Sequence, residues 1–163
     1  MIKFIKGDLV KLIKEDAFDI AMHGCNCFNT MGSGIAYQMR INFPELYESD
    51  LETKSGDKSK VGTYTYWLRQ QKAKVLNQHS RAEFKYTMLI NAYTQFRYGR
   101  EKDQFEYEGF ESILKSLIPV MTYKKIGLPL IGCGLAGGDK ERILKIIEDT
   151  IGHLDVTIVE YDK

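Results

Sequence analysis

The sequence predicts an α/β sandwich in which a single sheet is covered by helices on both faces. Short alternating or apolar runs, typical of strands, follow one another along the chain with longer runs whose apolar residues recur at helical spacing. In addition, two glycine-rich clusters, at residues 32–34 and 132–138, each follow a predicted strand and precede a predicted helix. This arrangement is typical of sheets that bind ligands at their strand ends.

The N-terminal third is expected to contain two strands and two longer helices. Residues 2–7 (IKFIKG) alternate in polarity, and residues 18–24 (FDIAMHG) form a second, more apolar strand. From Gly34 the apolar residues repeat at helical spacing until Pro44, which ends one helix and begins the next. Asp8 is well placed to cap a short helical turn after the first strand.

The rest of the chain continues the alternation without repeats, low-complexity tracts or a linker, so residues 1–163 are expected to form a single domain. The elements predicted after residue 60 are strands at 61–70, 73–78 and 86–95, a helix at 107–121, a strand at 124–132, a helix at 140–152 and a strand at 155–161. The strands at 61–70 and 73–78 are expected to form an antiparallel edge of the sheet.

Composition restricts the classes of function. The formal net charge of +1 gives no general electrostatic reason to expect binding to nucleic acid or to a membrane. Three cysteines, two of them separated by one residue, make a poor disulfide framework and suit a reducing compartment. The first residues alternate with lysine instead of forming the apolar core of a signal peptide. We therefore expect a cytoplasmic, monomeric protein.

The two glycine clusters predict a site for a phosphorylated ligand. Gly32 and Gly34 flank Ser33, so the backbone can approach a ligand closely, and the next helix offers unpaired N–H groups at its N-terminus. The cluster at residues 132–138 contains four glycines, more than a simple turn needs, and its successive N–H groups are suited to an anion. Two such loops fit a diphosphate held by main chain, although tight strand-to-helix turns are the alternative explanation.

His23 and Asp139 are the candidates for proton transfer. His23 ends a predicted strand beside the first glycine cluster, and histidine titrates near neutral pH, although such a residue is often structural. Asp139 is well placed to cap the last helix, a role compatible with chemistry. His23, Cys25, Cys27 and Cys133 are also potential zinc ligands, but a Cys-x-Cys spacing is tighter than that of structural zinc sites. We therefore expect neither a metal nor another cofactor.

Taken together, these motifs resemble the macrodomain family of ADP-ribose-binding modules. The resemblance covers nearly the whole chain, through KGDL, HGCNCFNTMGSGIA, LINAYTQ, LPLIGCGLAGGD and VTIVEY. It is strongest to the phage and microbial branch of ADP-ribose-1″-phosphate phosphatases. It implies a three-layer α/β/α sandwich with a mixed, mostly parallel central sheet.

The resemblance also implies roles for individual residues. Asp8 would accept from the adenine amine, Leu9 would add a main-chain contact, Asn26 would hold the distal ribose and Tyr161 would lie on the adenine side. The first loop would line the distal ribose and the diphosphate with Gly32, Ser33, Gly34, Ile35 and Ala36. The second loop would surround the diphosphate with Gly132, Cys133, Gly134, Leu135, Ala136 and Gly137. His23 and Asp139 match the proposed catalytic positions.

One departure from the wider family bears on activity. The branch that removes ADP-ribose from glutamate or DNA uses a lysine and an aspartate at the places held here by Ala92 and Ala136. The expected activity is therefore metal-independent hydrolysis of ADP-ribose 1″-phosphate to ADP-ribose and phosphate. The alternatives are a binding module without turnover and an ADP-ribosyl ester hydrolase. The expected partners are ADP-ribose, its 1″-phosphate and ADP-ribosylated protein, without nucleic acid or membrane.

Overall fold

A computed structural model describes residues 2–72, 84–98, 104–134 and 136–161. The strands within these ranges are β1 (Ile2–Gly7), β2 (Ile20–Cys25), β3 (Tyr64–Gln70), β4 (Tyr86–Tyr93), β5 (Lys125–Leu128) and β6 (Asp155–Tyr161). The helices are α1 (Leu9–Lys14), α2 (Gly34–Asn42), α3 (Pro44–Leu51), α4 (Tyr107–Met121) and α5 (Lys140–Ile151), with a 3-10 turn at Lys58–Lys60. No helix in these ranges has the length and apolarity needed to cross a membrane.

The described strands form one mixed sheet in the order β1-β6-β5-β2-β4-β3. Every neighbouring pair is parallel except β3 and β4, which are antiparallel. The predicted antiparallel edge is thus present, but the described partner of β3 is β4. The strand predicted at 73–78 lies outside the described residues. Because the other strands run in one direction, their carboxyl ends meet at the same edge of the sheet.

Helices cover both faces of the sheet, so the predicted three-layer sandwich is confirmed. Successive residues of β4 show how the two cores arise, because side chains alternate between the faces of a strand. Ile90 packs into the core beneath α4 and α5 with Phe110 of α4. Leu89 packs into the opposite core, which α1 and α3 close with Ile13 and Leu46.

Local sequence signals account for most element boundaries. Asp8 caps α1 by accepting from Val10 N and Lys11 N, at 3.0 and 3.3 Å. Pro44 is the first residue of α3, as predicted, and only Phe43 separates it from the end of α2. The second strand begins at Ile20 and not at residue 18, because Asp19 still belongs to the preceding turn and bonds to Lys125.

Gly127, in the centre of β5, makes room for the ring of Phe18. A Cβ built on Gly127 would lie 2.6 Å from Cδ2 of that ring. We expect Gly127→Ala to lower the free energy of unfolding by about 1–3 kcal/mol, because the ring or the strand must shift. Urea unfolding followed by the fluorescence of Trp67 measures the change. Gly134→Ala is the control, since its Cβ would meet no atom within 4 Å. Equal losses in the two variants would contradict this explanation.

Candidate functional site

A cleft with two chambers lies along the edge of the sheet where the parallel strands end. The first chamber has a volume of about 660 Å³ and begins at the end of β2, with Gly24 and Cys25. The second has a volume of about 730 Å³ and lies at the ends of β1 and β6, beside Gly7 and Tyr161. The two chambers share the residues Gly34, Ile35, Pro129, Leu130 and Gly134, and the part of the cleft that these residues line is here called the waist.

The waist is suited to an anion. Helix α2 begins there with Gly34, whose φ of +59° is in the left-handed region that favours glycine. The N–H groups of a first helical turn have no partner within their helix, and the helix dipole is positive at this end. The N-cap Ser33 makes no capping bond with its side chain, so its hydroxyl remains available to a ligand. Gly134, from the second loop, also lines the waist.

Three side chains stabilise the loop between β2 and α2 by donating hydrogen bonds to its carbonyl groups. Lys60 Nζ donates to the Cys27 carbonyl at 3.2 Å, Tyr47 Oη to that of Asn29 at 2.9 Å, and Arg40 Nη1 to that of Thr30 at 3.2 Å. These bonds fix three carbonyl groups of one short loop. The walls that this loop gives to the first chamber are therefore set before any ligand binds.

Asn26 lines the first chamber, but its side chain is already engaged within the loop. Its Nδ2 donates to Thr30 Oγ1 at 2.7 Å, and its Oδ1 accepts from Phe28 N at 2.8 Å. A ligand that contacts Asn26 would use the second lone pair of Oδ1 or the second hydrogen of Nδ2. The amide is thus held in one orientation by its own loop.

The two chambers differ in charge. The described lining of the first contains no Asp, Glu, Lys, Arg or His, and its polar side chains include Gln95 and Thr30. The second is lined by the carboxylates of Asp8 and Glu160 and by the ring of Tyr161, which is 72% exposed. The acidic, aromatic chamber is suited to a planar group with N–H donors, and the other chamber to a neutral polar group.

His23 lies beneath the floor of the first chamber and does not line it. The side chain is 0% exposed, and its Nε2 is 2.6 Å from Oδ1 of Asn91, its neighbour in the parallel register. Asn91 Nδ2 donates to the Leu46 carbonyl at 3.0 Å, which turns Oδ1 towards the imidazole and makes Nε2 the donor. Burial lowers the pKa of His23 to about 4, so the ring is neutral at pH 7.

Asp139 caps α5, as the sequence predicts, and also lies outside the lining of both chambers. Its Oδ1 accepts from Glu141 N at 3.0 Å and from Arg142 N at 3.3 Å, and the residue is exposed. The structure therefore does not bring His23 and Asp139 together in one chamber, and their catalytic roles stay predictions.

Most of the residues predicted to contact a ligand line the cleft. The first chamber includes Asn26, Gly32, Ser33, Gly34, Ile35, Ala36, Gly132, Gly134 and Ala136. The second includes Asp8, Leu9, Ile35, Cys133, Gly134 and Tyr161. Gly137 lines neither chamber, and Leu135 lies outside the described residues.

Several lining residues were not predicted from the sequence. Thr30 and Gln95 line the first chamber, Tyr37 lines the second, and Pro129 and Leu130 line both. Each follows a strand or opens a helix at the carboxyl edge of the sheet, so only position along the chain pointed to them. Their residue types carry no chemical signal of their own.

The cysteines behave as packing residues. Cys25 and Cys27 are buried and free, and burial raises the pKa of both thiols, that of Cys27 to about 11. Cys25 Sγ lies 3.6 Å from Nε2 and 3.8 Å from Nδ1 of His23, so it is not directed at one nitrogen. Among the described residues, no group of three or more His, Cys, Asp or Glu side chains is arranged to hold a metal ion.

Comparison with known proteins gives two informative relatives, although no protein-family model matches the chain. An uncharacterized 17.5 kDa protein of Enterobacteria phage T4 is 35% identical over 99% of this chain and 97% of its own length. The ADP-ribose 1″-phosphate phosphatase of Saccharomyces cerevisiae is 24% identical over 98% of each chain. The similarity to the phage protein therefore extends over the whole domain.

Solved structures show the same fold. The macrodomain of Mycobacterium tuberculosis DarG has a TM-score of 0.67 at 18% identity, covering 100% of this chain and 98% of that one. Thermosipho africanus DarTG, solved in complex with ADP-ribose, has a TM-score of 0.66 at 16% identity, covering 98% of this chain and 41% of that one. At these identities the likeness concerns the fold alone.

The buried imidazole predicts a pH dependence of stability. His23 has a pKa of about 4 when folded and an ordinary value near 6.5 when unfolded, so the unfolded chain binds more protons between these values. Its contribution is complete above pH 6.5 and is lost as the pH falls towards 4. About 2.5 pH units at 1.36 kcal/mol each make this roughly 3 kcal/mol.

Urea unfolding at a series of pH values tests this dependence. We expect His23→Gln to show a shallower decline of the free energy of unfolding between pH 7 and pH 4 than the wild type. The exposed His153 provides a matched control, because His153→Gln should keep the wild-type slope. Identical slopes for all three proteins would refute the assignment.

Proposed function

This chain belongs to the macrodomain family, and from that premise we propose that its cleft binds ADP-ribose. The observation that carries the proposal is the order of chemical environments along the cleft. An acidic aromatic chamber, a waist at the N-terminus of α2 and a neutral polar chamber follow one another at a single edge of the sheet. A nucleotide joined through a diphosphate to a second sugar has the same order of groups.

In this arrangement the adenine occupies the second chamber. Asp8 uses Oδ1 to cap α1, which leaves Oδ2 to accept from the exocyclic amine. Tyr161 and Tyr37 offer exposed rings on which the base can pack. The amine is the feature that separates adenine from hypoxanthine, so Asp8 would also determine which base is preferred.

The diphosphate lies at the waist. Main-chain N–H groups of the first turn of α2 and of the second loop would bind its oxygens, and the helix dipole would add to the attraction. No lysine or arginine lines the described parts of either chamber. The distal ribose then enters the first chamber, where Asn26 and its neighbours present uncharged polar groups.

The name of the yeast relative favours a second function, hydrolysis of ADP-ribose 1″-phosphate to ADP-ribose and phosphate. Of the two predicted groups, one would activate water or protonate the leaving oxygen while the other orients its partner. His23 would have to act across the floor beside Cys25, and Asp139 from the cap of α5. The lining of the cleft therefore supports binding more directly than turnover.

Asp8→Asn tests the base-binding role without removing the helix cap, because Asn and Asp cap helices about equally well. The substitution replaces the free acceptor with an N–H₂ donor. Calorimetry should show ADP-ribose binding weakened by about tenfold. The analogue with hypoxanthine, which carries an acceptor at that position, should lose less affinity or gain some. Equal losses for both ligands would contradict the contact.

Phosphate release from ADP-ribose 1″-phosphate tests the hydrolytic function. If His23 and Asp139 carry it, His23→Gln and Asp139→Asn should each lower turnover by about a hundredfold or more, with ADP-ribose binding retained. Asp139→Asn keeps the cap of α5, so a loss would report on the carboxylate itself. A wild type that binds ADP-ribose and releases no phosphate is a binding module. Release from glutamate-linked ADP-ribose would instead identify an ester hydrolase.

A further inference from the structure

Behind the first chamber lies a side chain whose polar atom has no partner. Thr94 is 1% exposed, and its Oγ1 makes no hydrogen bond within the described residues. The main chain of Thr94 is fully engaged, because its N–H donates to the Cys25 carbonyl at 3.2 Å and its carbonyl accepts from Glu106 N at 2.7 Å. Only the hydroxyl is left over, and an unpaired buried hydroxyl lowers stability.

The position of this hydroxyl connects it with the cleft. A Cβ built on Gly24 would lie 2.8 Å from Thr94 Oγ1 and 3.2 Å from Ile131 Cγ2. Gly24 and Ile131 both line the first chamber. No side chain at position 24 therefore separates the hydroxyl from the chamber, and any residue larger than glycine would collide with it.

A second unpaired group lies in the segment that neighbours Thr94. Gln104 Nε2 and Oε1 are both buried and also lack partners among the described residues. The Gln104 N–H donates to the carbonyl of Ala136, a lining residue, at 2.9 Å. An isolated antiparallel β-bridge pairs Gln95 with Phe105, the residues that follow Thr94 and Gln104, and so joins the two segments. Buried polar atoms without partners are rare in folded proteins, so several near one chamber point to a ligand.

We propose that Thr94 is a recognition residue for the terminal sugar in the first chamber, with Gln104 as its neighbour. This rests on the proposed function, because it takes the sugar to be the distal ribose of ADP-ribose. A hydroxyl and an amide donate and accept without charge, which matches the hydroxyl groups of a neutral sugar better than a phosphate. The hydroxyl meets the sugar through a rotation of its side chain or a single bridging water, and both routes require Oγ1.

The proposal predicts that Thr94 separates ligands with and without the terminal sugar. Thr94→Val keeps the shape of the side chain and removes the hydroxyl. We expect it to weaken ADP-ribose binding by about five- to tenfold and to leave ADP binding unchanged, because ADP lacks the distal ribose. Thr94→Ser, which keeps the hydroxyl, should remain close to the wild type for both ligands. Calorimetry with the two ligands measures all three proteins.

Stability of the free protein supplies a readout that a structural role would not give. Since Oγ1 is unpaired without ligand, Thr94→Val should leave the melting temperature unchanged or raise it. Thr87→Val is the matched control, because Thr87 is also buried but its hydroxyl donates to the Phe18 carbonyl at 3.0 Å. That variant should melt at a lower temperature.

The outcomes separate this inference from the proposed function. A wild type that binds neither ligand overturns both. Two further outcomes are that the wild type binds ADP-ribose while Thr94→Val leaves the affinity for ADP-ribose unchanged, or lowers the affinities for ADP-ribose and ADP equally. In either case Thr94 is not a recognition residue, and the proposed function stands. A lower melting temperature for Thr94→Val, similar to that of Thr87→Val, would also overturn the inference, because the hydroxyl would then be satisfied in the free protein.

Discussion

The amide of Asn91 is the interaction on which the floor of the cleft depends. Its Nδ2 donates to the Leu46 carbonyl of α3 at 3.0 Å, and its Oδ1 accepts from His23 Nε2 at 2.6 Å. Strand β4, helix α3 and strand β2 are thereby joined at one buried point. Loss of any partner would leave a polar group unpaired in the interior. The free energy of unfolding would then fall by more than the hydrogen bond itself contributes. The floor is therefore tied together by buried hydrogen bonds between three elements of the fold.

A second buried arrangement stabilises the loop above that floor. Lys60 is 7% exposed and places its ammonium 2.6 Å from Asn29 Oδ1 and 4.8 Å from the ring centroid of Tyr93. The hydroxyl of the same ring, Tyr93 Oη, donates to the buried Asp50 at 2.7 Å, and burial raises the pKa of this carboxyl group. Burying charged groups is costly unless they are well bonded. The hydrogen bonds that the lysine donates to the Cys27 carbonyl and to Asn29 Oδ1 offset part of this cost, and the second of them holds Asn29 at a φ of +57°.

The sequence predicted the features that depend on local chemistry. Helix α4 matches residues 107–121 because its apolar period is unbroken, and Asp8 and Asp139 cap helices because a carboxylate satisfies the first N–H groups of a helix. The depth of His23 was not predictable, since it depends on pairing with Asn91, 68 residues away, and on cover by α3. Leu130 has no polar character, so its place at the waist follows only from the sheet order.

The described lining of the first chamber has no charged side chain, and this bears on whether the cleft hydrolyses ADP-ribose 1″-phosphate or only binds ADP-ribose. An added 1″-phosphate would enter the first chamber, whose described lining has no cation to offset it. Among the described residues, the groups that could meet its charge are main-chain N–H groups and the positive end of α2. Product and substrate would then bind with similar affinity, because the groups that they share account for most contacts. Catalysis requires interactions that are stronger in the transition state than in the ground state. The described lining of this chamber is uncharged and provides few of these, whereas recognition of a neutral sugar needs only uncharged hydrogen-bonding groups of the kind that line it.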